Sequence, residues 1–174
     1  MTSILPENAA DENRSANYVK NFFKEQKIGQ ALKQSNFFKQ KGFPCKELLQ
    51  FLVTLVFMGK NLWRYLDINT GKAPFQKDVV YRFMNNCCYN WRKLLLLLSS
   101  QIIRKHIAPL TDEKRINVFI IDDTLFNKSR SKAVELLARV FDHVEHKYVR
   151  GFRMLTLGWT DGNTFLPLAF SLAQ

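Results

Sequence analysis

The feature that most constrains the fold is a change in the spacing of apolar residues near Leu110. From about residue 14 to this point, apolar side chains recur at the three- and four-residue intervals of amphipathic helices. After the charged segment TDEKR, the sequence VFIID is typical of a short β-branched strand. The pattern predicts an α+β chain with a disordered tail at 1–13, a helical region at 14–110 and a strand-containing region at 111–174.

Several helices are predicted in the region 14–110. The first places Tyr18, Phe22 and Phe23 on one face, and a hydrophobic helix starts near Pro44, with Gly59 as a weak point or an end. The loop DINTGKAPF leads into KDVVYRFMNN, a short basic helix. Its composition is typical of the recognition helix of a helix-turn-helix DNA-binding motif, although the loop is longer than the usual turn. The alternative is that the polar residues of this helix are ordinary solvated surface residues that do not contact DNA. The candidate DNA contacts in this helix are Lys77, Tyr81, Arg82, Asn85 and Asn86.

The positive charge is concentrated in the helical region. The chain carries a net charge of +11, and residues 1–110 hold 17 basic and 7 acidic side chains, which gives +10. Residues 111–174 hold 9 basic and 8 acidic side chains, which gives +1. Such asymmetry is expected where one region neutralises nucleic-acid phosphates and another has a different task. An ordinarily basic helical surface is the alternative.

Cysteine spacing and apolar segment lengths argue against several classes of protein. Cys45, Cys87 and Cys88 have no C-x-x-C spacing, so neither a disulfide framework nor a zinc ribbon is indicated. The N-terminus lacks the pattern of a signal peptide, and the longest apolar stretches are shorter than the roughly 20 residues of a membrane span. These features predict a cytoplasmic protein with no membrane partner.

The region after residue 110 is expected to form one sheet of three strands. Two strand-like runs, 152–160 and 164–172, flank Asp161-Gly162-Asn163, and Asp-Gly is a strong hairpin signal. The segment between the first strand and this hairpin predicts a short helix around Ala133 to Val140. It begins with a polar basic loop, in which Lys128 and Arg130 are candidate contacts to DNA phosphates, with simple solvation as the alternative.

Asp122 and Asp123 are expected at the end of the first strand. An ionised carboxylate beside an apolar strand is costly unless it is paired or binds a cation, so the placement suggests a metal ligand. Mg²⁺ prefers oxygen ligands, usually carboxylates together with substrate phosphates. The alternative is that one aspartate caps the following turn and the other is solvated.

Longer strings of the sequence resemble a known family. IIDDTLFNKS, a basic insertion and HKYVRGFRMLTLGWTDGNTFLPLAFSL look like the start of the catalytic domain of bacterial DDE-type transposases of the insertion-sequence-four group. The upstream FQKDVVYRFMNNCCYNWRKLLLLLS resembles the end of their helical N-terminal region, so the resemblance covers roughly residues 40–174. It implies a ribonuclease-H-like fold and Mg²⁺- or Mn²⁺-dependent cleavage and joining of transposon ends in double-stranded DNA. It also implies a bacterial cytoplasmic protein associated with the nucleoid.

The resemblance also implies roles for particular residues. The family pattern of an aspartate, a variable residue and a threonine maps onto Asp122, Asp123 and Thr124, which implies Asp122 as the catalytic and metal-binding residue, with Asp123 as the alternative. The family's second Asp and its Glu are not matched. We therefore expect a truncated N-terminal fragment that binds DNA, does not hold the metal alone, is not catalytically competent and tends to self-associate. The alternatives are a non-catalytic DNA-binding regulator of transposition and a protein-interaction module.

Overall fold

The chain contains two compact units, residues 1–94 and 95–174. The computed structural model describes residues 9–69, 75–110, 112, 115–132, 134 and 136–173. The first unit is helical, and the second is built on a four-stranded antiparallel sheet. The α+β class predicted from the sequence is confirmed.

Six α-helices occur in the described residues. In chain order they are α1 Ala9–Glu25, α2 Ile28–Gln34, α3 Cys45–Phe57, α4 Leu62–Ile68, α5 Lys77–Met84 and α6 Trp91–Ile102. Helix α3 ends just before Gly59, which adopts a positive φ of 61°, as expected for a glycine that terminates a helix. Asn61 then caps α4, because its side-chain oxygen accepts the N–H groups of Trp63 and Arg64.

The start of the chain falls partly outside the described residues. Of the tail predicted at 1–13, residues 1–8 lie outside them, and α1 begins at Ala9. Most of the predicted loop before α5, residues 70–74, also lies outside them. Among the helices that the structure describes, none combines the length and the apolar character needed to cross a lipid bilayer.

Helix α1 buries a narrower face than the sequence predicted. Val19 and Phe23 are buried, whereas Tyr18 and Phe22 are exposed, so the expectation that Tyr18, Phe22 and Phe23 share one face is wrong. Residues four apart lie on the same side of a helix, which places 19 and 23 together and rotates 18 and 22 away from the core. The ring of Tyr18 instead lies 5.8 Å from the Arg14 guanidinium.

An aromatic cluster holds α5 in the helical unit. The Phe37 ring stacks on Tyr89 with centroids 4.6 Å apart and meets Trp91 edge-on at 4.7 Å. Phe83, on the buried face of α5, lies 5.5 Å from Trp91 and 5.7 Å from Tyr89. Offset and edge-to-face rings stabilise beyond simple burial, so this cluster fixes which face of α5 is exposed.

The sheet is organised around one long strand. Its strands are β1 Val118–Asn127, β2 Ala138–Asp142, β3 Lys147–Thr160 and β4 Phe165–Ala173. Strand β1 pairs with one edge of β3 across Gly151–Thr160, and β2 and β4 follow one another along the other edge. The predicted hairpin with its turn at Asp161-Gly162-Asn163 is confirmed as β3 and β4.

The insertion between β1 and β3 contains a strand, which corrects one prediction. Residues 138–140 belong to β2, so the helix expected around Ala133 to Val140 is wrong over these residues, while residues 133 and 135 lie outside the described part. The local sequence favours a helix, but β3 extends back to Lys147 and offers an unpaired edge to Ala138–Asp142. Pairing with that edge satisfies backbone groups along the whole segment, and tertiary context overrides the weak local preference. The expected three strands are therefore four.

Candidate active site on the sheet

The two adjacent aspartates lie within β1, not at its end. Strand β1 continues to Asn127 because β3 remains available as a partner down to Gly151. The expectation that the strand ends at the carboxylates is therefore wrong. Since successive side chains of a strand point to opposite faces, Asp122 and Asp123 face opposite sides of the sheet.

Asp122 has a hydroxyl group as its partner. Thr124, two residues along and therefore on the same face, donates its Oγ1–H to Oδ2 of Asp122 at 2.8 Å. Asp122 is exposed, and Thr156 lies directly across from it on β3. This hydrogen bond fixes one carboxylate oxygen and gives the aspartate-x-threonine spacing a physical reason. We refer to the side of the sheet that carries Asp122, Thr124 and Phe126 as the Asp122 face.

Asp123 has a guanidinium group as its partner. Arg153 of β3 forms an ion pair with the Asp123 carboxylate and also donates to the carbonyl oxygen of Phe141 at 2.9 Å. Arg153 thus ties β1 to β2 across β3. The sequence alone did not identify Arg153, because only the strand register brings residues 30 positions apart into contact.

Among the described residues of the sheet, the Asp122 face carries one carboxylate. The described part of the chain contains no group of three or more histidine, cysteine or acidic side chains close enough to hold a metal together. An ion of the Mg²⁺ type takes six oxygen ligands, often from one or two carboxylates together with water and substrate phosphates. Asp122 fits the role of one such ligand, and the rest of the coordination shell has to come from elsewhere.

Asp161 is a buried carboxylate with a structural role. Its side chain is 3% exposed and accepts the backbone N–H groups of Asn163 at 3.0 Å and Thr164 at 2.8 Å. Arg115 also reaches it, with a distance of 3.5 Å between nitrogen and oxygen. These contacts build the hairpin turn between β3 and β4.

Four of the five DNA contacts predicted in and after α5 are exposed, and the fifth, Asn86, is half-buried. Lys77, Tyr81 and Asn85 recur every four residues and are exposed, and Arg82 is exposed beside them with its Nε–H donated to the Asp78 carbonyl at 3.1 Å. Asn86 is half-buried, and its side-chain oxygen accepts the Cys88 N–H at 3.0 Å, so it serves partly to shape the following turn.

Lys128 and Arg130 lie directly after β1 in the second unit, and both are exposed. The backbone N–H of Lys128 donates to the carbonyl oxygen of Arg150 at 2.8 Å, which continues the pairing of β1 with β3 by one residue. The structure therefore places the predicted contacts in two separate sets, five residues in the helical unit and two in the sheet unit.

The turn between β2 and β3 contains two histidines with H-x-x-H spacing. His143 and His146 are exposed, and the Asp142 carboxylate accepts the N–H groups of Val144 at 2.9 Å and Glu145 at 3.2 Å. The hydrogen bonds from Glu145 and Val144 lower the pKa of Asp142. Asp142 thus builds the turn.

Comparison with known proteins identifies a family. A family model described as DDE superfamily endonuclease matches residues 61–174, which is 114 of the 174 residues and includes α4, α5, α6 and the whole sheet. No curated protein and no solved structure matches the chain. Endonucleases of this superfamily act on nucleic acid and generally use divalent metal ions. With an antiparallel sheet compatible with a DDE nuclease domain, the chain belongs to the DDE superfamily of endonucleases.

Proposed function

We propose that the chain acts in DNA transposition, binds double-stranded DNA at transposon ends and carries, at Asp122, the first catalytic carboxylate of a DDE endonuclease. The observation that supports this role is the placement of Asp122, which is exposed and hydrogen-bonded to Thr124 at 2.8 Å. Asp123 is engaged by Arg153 on the other face. A carboxylate paired with a guanidinium is a poor cation ligand, whereas one with a hydroxyl partner keeps its charge for a metal.

The proposed chemistry assigns a distinct task to each residue. Asp122 supplies one oxygen ligand to Mg²⁺ or Mn²⁺, and Thr124 positions the carboxylate. In a complete site, the chemistry that the bound ions would supply is activation of a nucleophilic water or a DNA 3′ hydroxyl and stabilisation of the leaving oxygen at phosphorus. Among the described residues of the sheet, Asp122 is the one carboxylate on its face. We therefore propose that this chain binds DNA but does not complete the metal site with these residues.

The proposed DNA contacts lie on both units. In the helical unit they are on the exposed side of α5, within residues 1–110, whose net charge of +10 favours a polyanion. Lys128 and Arg130 are the proposed phosphate contacts beside the sheet. We propose that the protein, through DNA binding of this kind, associates with the bacterial nucleoid.

A manganese titration tests the assignment of Asp122. We expect even weak, transient binding of Mn²⁺ at this single carboxylate to broaden the amide resonances of Asp122 and Thr124, because a paramagnetic ion relaxes nearby nuclei, and we expect Asp122→Asn to abolish the effect. Asp123→Asn is the matched control, since it makes the same chemical change on the other face and is expected to keep the broadening. Broadening that survives Asp122→Asn, or that depends on Asp123, would contradict the assignment.

A second candidate function is a non-catalytic DNA-binding regulator of transposition. The single carboxylate on the Asp122 face favours it. Incubation with plasmid carrying the element ends and Mg²⁺ or Mn²⁺ tests whether the chain cuts DNA with its own residues. Nicking that Asp122→Ala abolishes would contradict both the proposed incomplete metal site and the regulator. Salt-dependent binding without nicking is expected of both, and manganese binding at Asp122 then favours the first function.

A further inference from the structure

Three basic side chains from distant parts of the sequence meet in one row across the sheet. Arg150 of β3 lies opposite Arg139 of β2 in the strand register. On the other edge of β3, Lys128 lies opposite Arg150, because its N–H donates to the Arg150 carbonyl at 2.8 Å and continues the β1 register. All three residues are exposed. We call Lys128, Arg150 and Arg139 the cationic row.

The row carries an electrostatic cost that the sheet does not compensate. Side chains directly opposite one another have Cβ atoms about 5 Å apart, and like charges in such pairs are destabilising. Within the described residues, the ion pairs of the sheet unit use Arg115, Lys147 and Arg153, and no carboxylate pairs with the row. The Arg139 guanidinium lies over the Tyr148 ring at 5.0 Å, which orients it without neutralising it.

The row lies on the Asp122 face. Opposite residues share a face, and alternate residues of a strand return to it, so Asp122, Thr124, Phe126 and the row point to the same side of the sheet. The rings of Phe126 and Phe152 stack between them with centroids 5.5 Å apart. The six-residue step from Asp122 to Lys128 corresponds to about 20 Å of strand, or roughly six base pairs of duplex DNA.

We infer that the cationic row is a contact site for the phosphate backbone of the DNA whose scissile phosphate lies at Asp122. This inference rests on the proposed function and extends it to Arg139 and Arg150. An uncompensated row of positive charge on the same face as the candidate catalytic carboxylate is complementary to a polyanion that runs along that face. Contacts of this kind position DNA and do not read its sequence.

The test is the salt dependence of duplex binding by the full chain. Fluorescence anisotropy between about 50 and 200 mM salt gives the slope of log affinity against log salt, which reports the number of phosphates contacted. We expect Lys128→Gln, Arg139→Gln and Arg150→Gln each to reduce the magnitude of this slope by about one. Each is also expected to weaken binding similarly for unrelated duplex sequences. Lys147→Gln is the matched control, because Lys147 lies on β3, faces the other side and pairs with Glu145.

Stability measurements separate lost contacts from lost structure. Removing one of several like charges is expected to keep or raise the melting temperature, so weaker binding by a variant that melts like the wild type reflects the contact. If a glutamine variant does not fold, Arg139→Lys and Arg150→Lys preserve the charge and are expected to preserve the salt slope.

Each outcome bears on one proposal or on both. If wild-type binding is insensitive to salt, the proposed DNA function and the cationic row fail together. If the wild type binds with a steep slope and the three glutamine variants match it, only the inference about the row is overturned. It is also overturned if these variants lose binding to anionic phospholipid vesicles while DNA binding is unchanged, because the row would then serve a lipid surface.

Discussion

Asp122 and Asp123 differ in their surroundings because alternate residues of a strand point to opposite faces. One carboxylate accepts a hydrogen bond from the Thr124 hydroxyl, and the other forms an ion pair with Arg153. The sequence placed both aspartates at a strand end, where alternation does not distinguish them, and therefore left the choice between them open. The register of β1 with β3 determines which aspartate meets Arg153. That register depends on residues about 30 positions away in the sequence.

Tyr89 is expected to make the stability of the helical unit sensitive to alkaline pH. Burial raises its pKa to about 12, and the Cys45 thiol, whose Sγ lies 3.4 Å from the hydroxyl oxygen, adds to the shift. An unfolded tyrosine ionises near pH 10. The folded state therefore keeps this contribution below about pH 10 and loses it as pH rises towards about 12, because ionisation is then easier in the unfolded chain.

Urea unfolding followed by circular dichroism from about pH 9 to about pH 11.5 measures this effect. We expect the free energy of unfolding to decline over that range in the wild type and to decline less in Tyr89→Phe. Tyr18→Phe is the control, since Tyr18 is exposed and its loss is expected to leave the decline in place. Equal declines in all three proteins would contradict the assignment to Tyr89.

At the scale of elements, local sequence predicted the β3–β4 hairpin but not strand β2, which also pairs with β3. The Asp161-Gly162-Asn163 turn is a local signal, and β3 and β4 form around it. Strand β2 has no comparable local signal, because Ala138–Asp142 forms a strand only against the N-terminal extension of β3. The same long-range pairing brings Arg139 beside Arg150, and it explains why the cationic row was not predicted from the sequence.

Gly151 is expected to be the least replaceable glycine of the sheet. It pairs with Asn127 of β1 on one edge and Ala138 of β2 on the other. A Cβ atom there would lie 2.2 Å from the carbonyl oxygen of Phe126, and a backbone atom cannot move aside cheaply. We expect Gly151→Ala to lower the free energy of unfolding by about 3 kcal/mol, at the upper end of the usual cost of overpacking, because the clash is with backbone.

Gly162→Ala is the control for this substitution. Gly162 has a φ of 93°, and a methyl group added to it would meet no atom within 4 Å. Its replacement therefore changes backbone strain alone and is expected to cost about 1 kcal/mol, as for other side chains held at positive φ. Denaturant unfolding of the two variants compares a steric effect with a conformational one. A loss at Gly151 no larger than that at Gly162 would show that the β1 and β3 backbones can separate.

At the scale of the molecule, the most exposed apolar side chains of β1 lie on the side of the sheet away from Asp122. Opposite the Asp122 face, Phe119 is 71% exposed and Ile121 is 74% exposed, and Leu155 and Leu157 of β3 are exposed beside them. We call these four residues the apolar face. The sequence predicted self-association from the incomplete sheet, and the location of the apolar face could not be predicted because it follows from the β1 register. Since it lies away from Asp122, association through it leaves the Asp122 face available to DNA.

We expect the apolar face to cause concentration-dependent self-association, because contiguous exposed apolar surface is unfavourable in water. Sedimentation equilibrium measures this, and Phe119→Lys together with Ile121→Lys is expected to shift the protein towards monomer, since it places charge where a dry interface would form. Val144→Lys is the control, because Val144 is 88% exposed but lies alone in the turn between β2 and β3. A wild type that stays monomeric at all concentrations, or an equal effect of Val144→Lys, would contradict the role of this face. Unchanged DNA affinity in the monomeric variant would further place the association surface and the DNA surface on opposite sides of the sheet.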